Sequence, residues 1–151
     1  MIPPFQEDGY LPKGIHETTW QEINERLSFS PHRIKLLEGL WDVIQDLREV
    51  GCQEIYIDGS FVKYILEPND IDICHSETNV TFKKMKEEFP ELSNITWPRL
   101  EQKERYQCEI LPSKGLLIDE DDKPYYWLEY FQKTKKSDQE KGILNLKIED
   151  I

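Results

Sequence analysis

The stretch from Ser30 to Gly51 constrains the fold more than any other part of this sequence. Ser30-Pro31 reads as a helix start. The serine hydroxyl accepts from an orphan amide, and proline suits the first helical position because no N–H is needed there. Ile34, Leu37, Trp41, Ile44 and Leu47 then recur at helical spacing, and Gly51 ends the pattern. A long helix with one apolar stripe must bury that stripe against another layer.

The remaining patterns supply that layer. Ile55-Tyr56-Ile57 reads as a short buried strand and Ile71-Asp72-Ile73-Cys74 as an alternating one. Residues 106–111 read as a third strand and Ile143 to Ile148 as a last one. Thr18 or Thr19 caps a helix over about 19–28, with Trp20, Ile23 and Leu27 on one face. Asn79 caps a helix carrying Val80, Phe82, Met85 and Phe89 and stopped by Pro90. Residues 91–104 fit neither period. The acids Asp119 to Asp122 suit the start of a helix carrying Tyr126, Trp127, Tyr130 and Phe131. The spacing predicts a small mixed sheet flanked by helices, an α/β (α+β) domain. The strands near 54–58, 70–74 and 106–111 are expected side by side under the 31–50 helix. Residues 1–17, rich in Pro and Gly, read as an irregular lead-in packed on that single 1–151 domain.

Charge and cysteine usage narrow the function. A net charge of −11 argues against a broad basic nucleic-acid face. Cys52, Cys74 and Cys108 are odd in number and widely spaced, so no disulfide framework is expected. Zinc bound by Cys74, His75 and Cys108 is disfavoured, because adjacent strand residues point to opposite faces. The start of the sequence lacks a signal-peptide pattern, and no apolar run is long enough for a membrane span. A cytoplasmic protein is the expectation.

The chemistry is concentrated between Asp58 and Asp72. Asp70 and Asp72 are two apart on a strand and share a face, and paired carboxylates suit hard cations such as Mg²⁺ or Mn²⁺. Gly59 allows close backbone approach, and Ser60 offers a hydroxyl and an amide to an anion. A helix from about Phe61 would aim its N-terminus at that anion, with Lys63 as the nearby cation. Asp58 reads as a strand-end turn former, Cys74 as a buried small hydrophobe, and Lys133, Lys135 and Lys136 as a solvated face.

A strand ending in Gly59-Ser60, followed by Asp70-Ile71-Asp72 on a second strand, resembles the nucleotidyltransferase superfamily of DNA polymerase beta, poly(A) polymerases and minimal nucleotidyltransferases. That superfamily takes a third carboxylate from a later strand, which matches Glu109 here. The wider chain is similar to a group of bacterial and phage nucleotidyltransferase-like proteins. The matching segments are Ile2-Pro3-Pro4-Phe5, Gly9-Tyr10-Leu11-Pro12, Gly14-Ile15-His16, Gly51-Cys52, Asp58-Gly59-Ser60-Phe61-Val62, Pro68-Asn69-Asp70-Ile71-Asp72, Phe131-Gln132 and Lys141-Gly142-Ile143.

The resemblance implies transfer of a nucleoside monophosphate from an NTP to a protein or RNA hydroxyl. Asp70, Asp72 and Glu109 would be catalytic and metal-binding, with Gly59, Ser60 and Lys63 on the phosphates. It also implies a place in a toxin–antitoxin or phage-defence module, beside a partner encoded nearby. Phe61-Val62-Lys63-Tyr64 stands where minimal enzymes carry Arg and Gly, and Glu109 is longer than the usual Asp. An alternative therefore stands open: a catalytically inactive domain acting as antitoxin, inhibitor or regulatory subunit.

Overall fold

The computed structural model of the protein describes residues 1–118, 124–133, 139–148 and 151. Its centre is a five-stranded mixed sheet of β1 (Gly14–Thr18), β2 (Glu54–Asp58), β3 (Asp72–His75), β4 (Glu109–Pro112) and β7 (Gly142–Lys147), in the order β1-β7-β2-β3-β4. β1 runs parallel to β7 and β3 parallel to β4, whereas β2 is antiparallel to both of its neighbours. The expected adjacency of β2, β3 and β4 holds.

Strand alternation gives this sheet two unlike faces. Ile55, Ile57, Ile73, Ile110, Leu144 and Leu146 belong to the main core, together with Leu36, Leu40, Val43, Ile44 and Leu47 of helix α2 (Pro31–Glu49). Helix α1 (Trp20–Leu27) closes one side of that core through Ile23 and Leu27, and the Thr19 hydroxyl accepts from the Glu22 amide as its cap. On the other face Cys74, Leu111 and Ile143 form a smaller cluster with Phe131 of helix α6 (Trp127–Phe131). A hairpin of β5 (Leu116–Ile118) and β6 (Pro124–Tyr126) precedes α6.

The buried stripe of α2 differs from the expected one. Leu37, Ile44 and Leu47 are buried, but so are Leu36, Leu40 and Val43, while Ile34 is 51% exposed. The helix is turned because apolar residues lie on both rows, and the sheet covers the row through Leu36, Leu40 and Val43. Arg33 lies on this covered side and is fully buried. Its guanidinium donates to the carbonyls of Ile65 at 2.8 Å, Phe61 at 2.8 Å, Leu27 at 3.3 Å and Lys63 at 2.5 Å. It also lies over the rings of Phe29 and Phe61, 4.0 and 4.9 Å from their centres. One helix side chain thus staples the 61–65 loop.

Other expectations need correction. Residues 14–18 are not irregular lead-in but edge strand β1, whose backbone is satisfied by β7 far along the chain. The segment after Gly59 is a single 3-10 turn, Ser60–Val62, because Lys63 returns to extended backbone and the Phe61 amide bonds back to Asp70. Asn79 sits in a turn at φ 65°, and helix α3 (Phe82–Glu88) starts after Thr81. The ambiguous 91–104 stretch holds helix α4 (Pro90–Ser93) and most of helix α5 (Leu100–Tyr106). Tyr106 therefore ends a helix, and left-handed Gln107 separates it from β4. Tyr126 belongs to β6, so the last helix is shorter than expected. The acidic run 119–122, Lys135 and Lys136 lie outside the described residues.

Helix α5 crosses α2 at Gly39. A Cβ there would lie 2.0 Å from the Tyr106 carbonyl oxygen, which is backbone and has little freedom to yield. Gly39→Ala should destabilise the domain by about 1–3 kcal/mol in urea titration. An unchanged midpoint would mean that the two helices part without cost.

Candidate metal centre

Register sets three carboxylates in a row. Asp58 on β2 pairs with Asp72 on β3, and Asp72 pairs with Glu109 on β4. Asp72 and Glu109 share the face that carries Cys74 and Leu111, because each is two residues from its apolar neighbour. Asp70 lies just before β3. One carboxylate oxygen each from Asp70, Asp72 and Glu109 lie within 4.8 Å of one another.

Gly59 and Ser60 hold Asp70 in this arrangement. The Ser60 amide and hydroxyl both donate to Asp70 Oδ1 at 2.8 Å. The Ser60 oxygen in turn accepts from the amides of Asn69 at 2.9 Å and Asp70 at 3.3 Å. Gly59 has φ 88°, and a Cβ there would meet Asp70 Oδ1 at 3.0 Å and the Asp72 amide at 3.1 Å. The Gly-Ser turn is thus a socket for a carboxylate.

Asp72 carries the electrostatic tension. Its Oδ1 is buried and has no hydrogen-bond partner. Burial raises its carboxyl most, then the charges of Asp70, Glu109 and Asp58, to about 8. Asp58 is also raised, to about 6, because burial outweighs its ion pair with Lys141 at 2.9 Å. Glu109 is partly neutralised: Arg99 Nε donates to its Oε1 at 3.0 Å and Lys103 Nζ lies 3.8 Å from the same oxygen.

An all-carboxylate donor set with an orphaned buried oxygen fits a hard divalent cation. A cation would satisfy Asp72 Oδ1 and offset the mutual repulsion that raises its pKa. Mg²⁺ or Mn²⁺ is the class these residues suit, and Asp70, Asp72 and Glu109 would hold it.

Of the residues expected at the site, Asp70, Asp72, Glu109, Gly59 and Ser60 are brought together. Lys63 is not with them: its Nζ lies 4.4 Å from the centre of the Tyr10 ring, in a different cleft beside Gly9 and Tyr64. The sequence reading missed the cations Arg99, Lys103 and Lys141. Lys141 stands directly before the Gly142 strand, in the Lys141-Gly142-Ile143 segment that carries part of the resemblance, but no role at the site is assigned to it there. Cys74 and Cys108 are buried free thiols, as is Cys52, and His75 packs near Phe82 with 6.3 Å between ring centres. Among the described residues, no helix is long and apolar enough to cross a membrane.

Residues 3–147 match the family described as "Family of unknown function (DUF6932)", and the chain belongs to that family. No curated protein and no solved structure matches the chain.

Proposed function

We propose that the domain is a divalent-metal-dependent nucleotidyltransferase, moving a nucleoside monophosphate from an NTP to a hydroxyl of a protein or RNA. The observation that supports this most is the convergence of Asp70, Asp72 and Glu109 within 4.8 Å, with Asp72 Oδ1 buried and unpartnered. It joins the likeness of the Gly59-Ser60 and Asp70-Ile71-Asp72 segments to that superfamily. In the reaction, the acceptor hydroxyl oxygen bonds to the α-phosphorus, the bond to pyrophosphate breaks, and the hydroxyl proton leaves. Bound Mg²⁺ or Mn²⁺ would supply charge to offset what builds on the transferring phosphate. Ser60 fixes Asp70, the β3–β4 pairing fixes Asp72 against Glu109, and in this reading Glu109 would help take the hydroxyl proton. The free thiols fit a cytoplasmic setting, and a toxin–antitoxin or phage-defence role beside a protein encoded nearby is part of the same reading.

A second reading has its own observation. Arg99 and Lys103 already occupy Glu109, as they would in a domain that has given up the reaction and serves as an antitoxin, inhibitor or regulatory subunit. Incubation with α-labelled NTPs, Mn²⁺ or Mg²⁺ and lysate separates the two. Label should pass to an acceptor with wild type and be lost with Asp72→Ala. Ser60→Ala keeps the amide bond to Asp70 and should slow transfer only about three- to tenfold. No label from any of the four NTPs, with the neighbouring-gene product present, would overturn the enzyme reading.

A further inference from the structure

The groups that the sequence assigns to phosphate are already engaged. Both Ser60 donors go to Asp70, and Lys63 lies over Tyr10. Lys141 is paired with buried Asp58. Among the described residues, the cations seen to reach the carboxylate cluster are Arg99 and Lys103, both on Glu109 Oε1.

The same two cations face an aromatic ring. The Arg99 guanidinium lies 5.1 Å and Lys103 Nζ 5.5 Å from the Trp97 ring centre. Trp97 is 73% exposed, so the indole offers an open face that the core does not use. The cleft beside Asp70, Lys103 and Glu109 holds about 260 Å³. That is below the usual size of a small-molecule pocket, so a nucleotide anchored there must extend out of it.

We propose that Trp97, Arg99 and Lys103 form the nucleotide subsite of this centre, with the indole stacking the base and the two cations binding the phosphates. The inference rests on the nucleotidyltransferase reading. Without a ligand, the two cations compensate Glu109. With a divalent cation held by the carboxylates, Glu109 would be compensated without them, and Arg99 and Lys103 would be free to bind the triphosphate, whose oxygens suit a planar guanidinium. Aromatic stacking tolerates any base, because every base has a π-face.

Calorimetry on the full chain tests this, with Mn²⁺ alone, then Mn²⁺ with ATP, then Mn²⁺ with inorganic tripolyphosphate. Trp97→Ala should weaken ATP binding about tenfold, leave tripolyphosphate binding unchanged and leave Mn²⁺ affinity unchanged. Arg99→Gln should weaken both phosphate ligands yet tighten Mn²⁺ alone, because Glu109 is released. A merely structural role would not move these in opposite directions. Metal-dependent ATP binding by wild type that neither variant weakens overturns the subsite and leaves the nucleotidyltransferase reading standing. No ATP binding by wild type, or Mn²⁺ binding indifferent to Asp72→Asn, overturns both.

Discussion

Asp72→Asn should make the metal-free protein more stable. Asp72 Oδ1 is buried without a partner, beside the charges of Asp70, Glu109 and Asp58. Above the raised pKa of Asp72 an amide removes the charge, and below it the amide can donate to a neighbouring carboxylate without first taking up a proton. Relief of one unsatisfied buried polar group is worth about 1–3 kcal/mol. The pH dependence of the two raised carboxyls has a definite sign. Asp72 and Asp58 are raised to about 8 and about 6, so between about pH 4 and 8 these two carboxyls bind more protons in the folded state than in the unfolded one. Their contribution to stability falls as pH rises through that window, while buried His75, lowered from its ordinary value, contributes with the opposite sign. Asp72→Asn should flatten the upper part of the fall, and saturating Mn²⁺ should offset it in wild type by stabilising the ionised form. Thermal melts in chelator and in Mn²⁺, at several pH values, read all of this. A metal-free mutant less stable than wild type would show that the cluster repels less than its geometry indicates.

Arg33→Met should cost about 3 kcal/mol or more, at about 1–3 kcal/mol for each buried carbonyl left without a donor, and lower the melting temperature by about 10 °C. Burial pulls the guanidinium down only to about 10, so it stays charged at neutral pH, compensated by carbonyl dipoles and two aromatic faces. Methionine fills much of the space but takes the Arg33 donor from the Phe61, Ile65 and Leu27 carbonyls, while the Lys63 carbonyl keeps the Ile65 amide. Arg33→Lys restores the charge with a shorter reach and should recover only part of the loss. The staple holds the loop that leads toward Asp70, so Mn²⁺ affinity should fall along with stability. A stable Arg33→Met protein with unchanged metal binding would show that the loop is held by its own packing.

Those two side chains mark the boundary of what the sequence discloses. Helix α2 was readable because its ends carry local chemistry, Ser30-Pro31 and Gly51, and β2 and β3 because apolar alternation is local. The two-residue period suggests the Asp70–Asp72 pair, but Asp70 lies just before β3, and the Ser60 amide and hydroxyl, not strand pairing, hold it there. Which row of α2 is buried does not follow from the pattern, since Ile34 and Trp41 are as apolar as Leu36 and Leu40, and only the sheet decides. Arg33 reads as surface, because its partners are backbone carbonyls that carry no residue identity. β1 was missed for a related reason: its hydrogen bonds are to β7, and no nearby residue announces them. Arg99 and Lys103 come from a stretch without clear periodicity, so their approach to Glu109 is visible only once α5 is placed.

The strand order β1-β7-β2-β3-β4 has a consequence for synthesis. The strand that joins β1 to the carboxylate-bearing strands is the last of the five to leave the ribosome. Until residues 142–147 emerge, β1 has no neighbour, β2 has an open edge, and Asp58 lacks the Lys141 that precedes the strand. The acidic centre and the N-terminal segment therefore come together after translation of nearly all the described chain. A ribosome stalled before residue 142 would hold a nascent chain with its α2–β2–β3–β4 portion unclosed and an exposed strand edge, ready to pair with another chain.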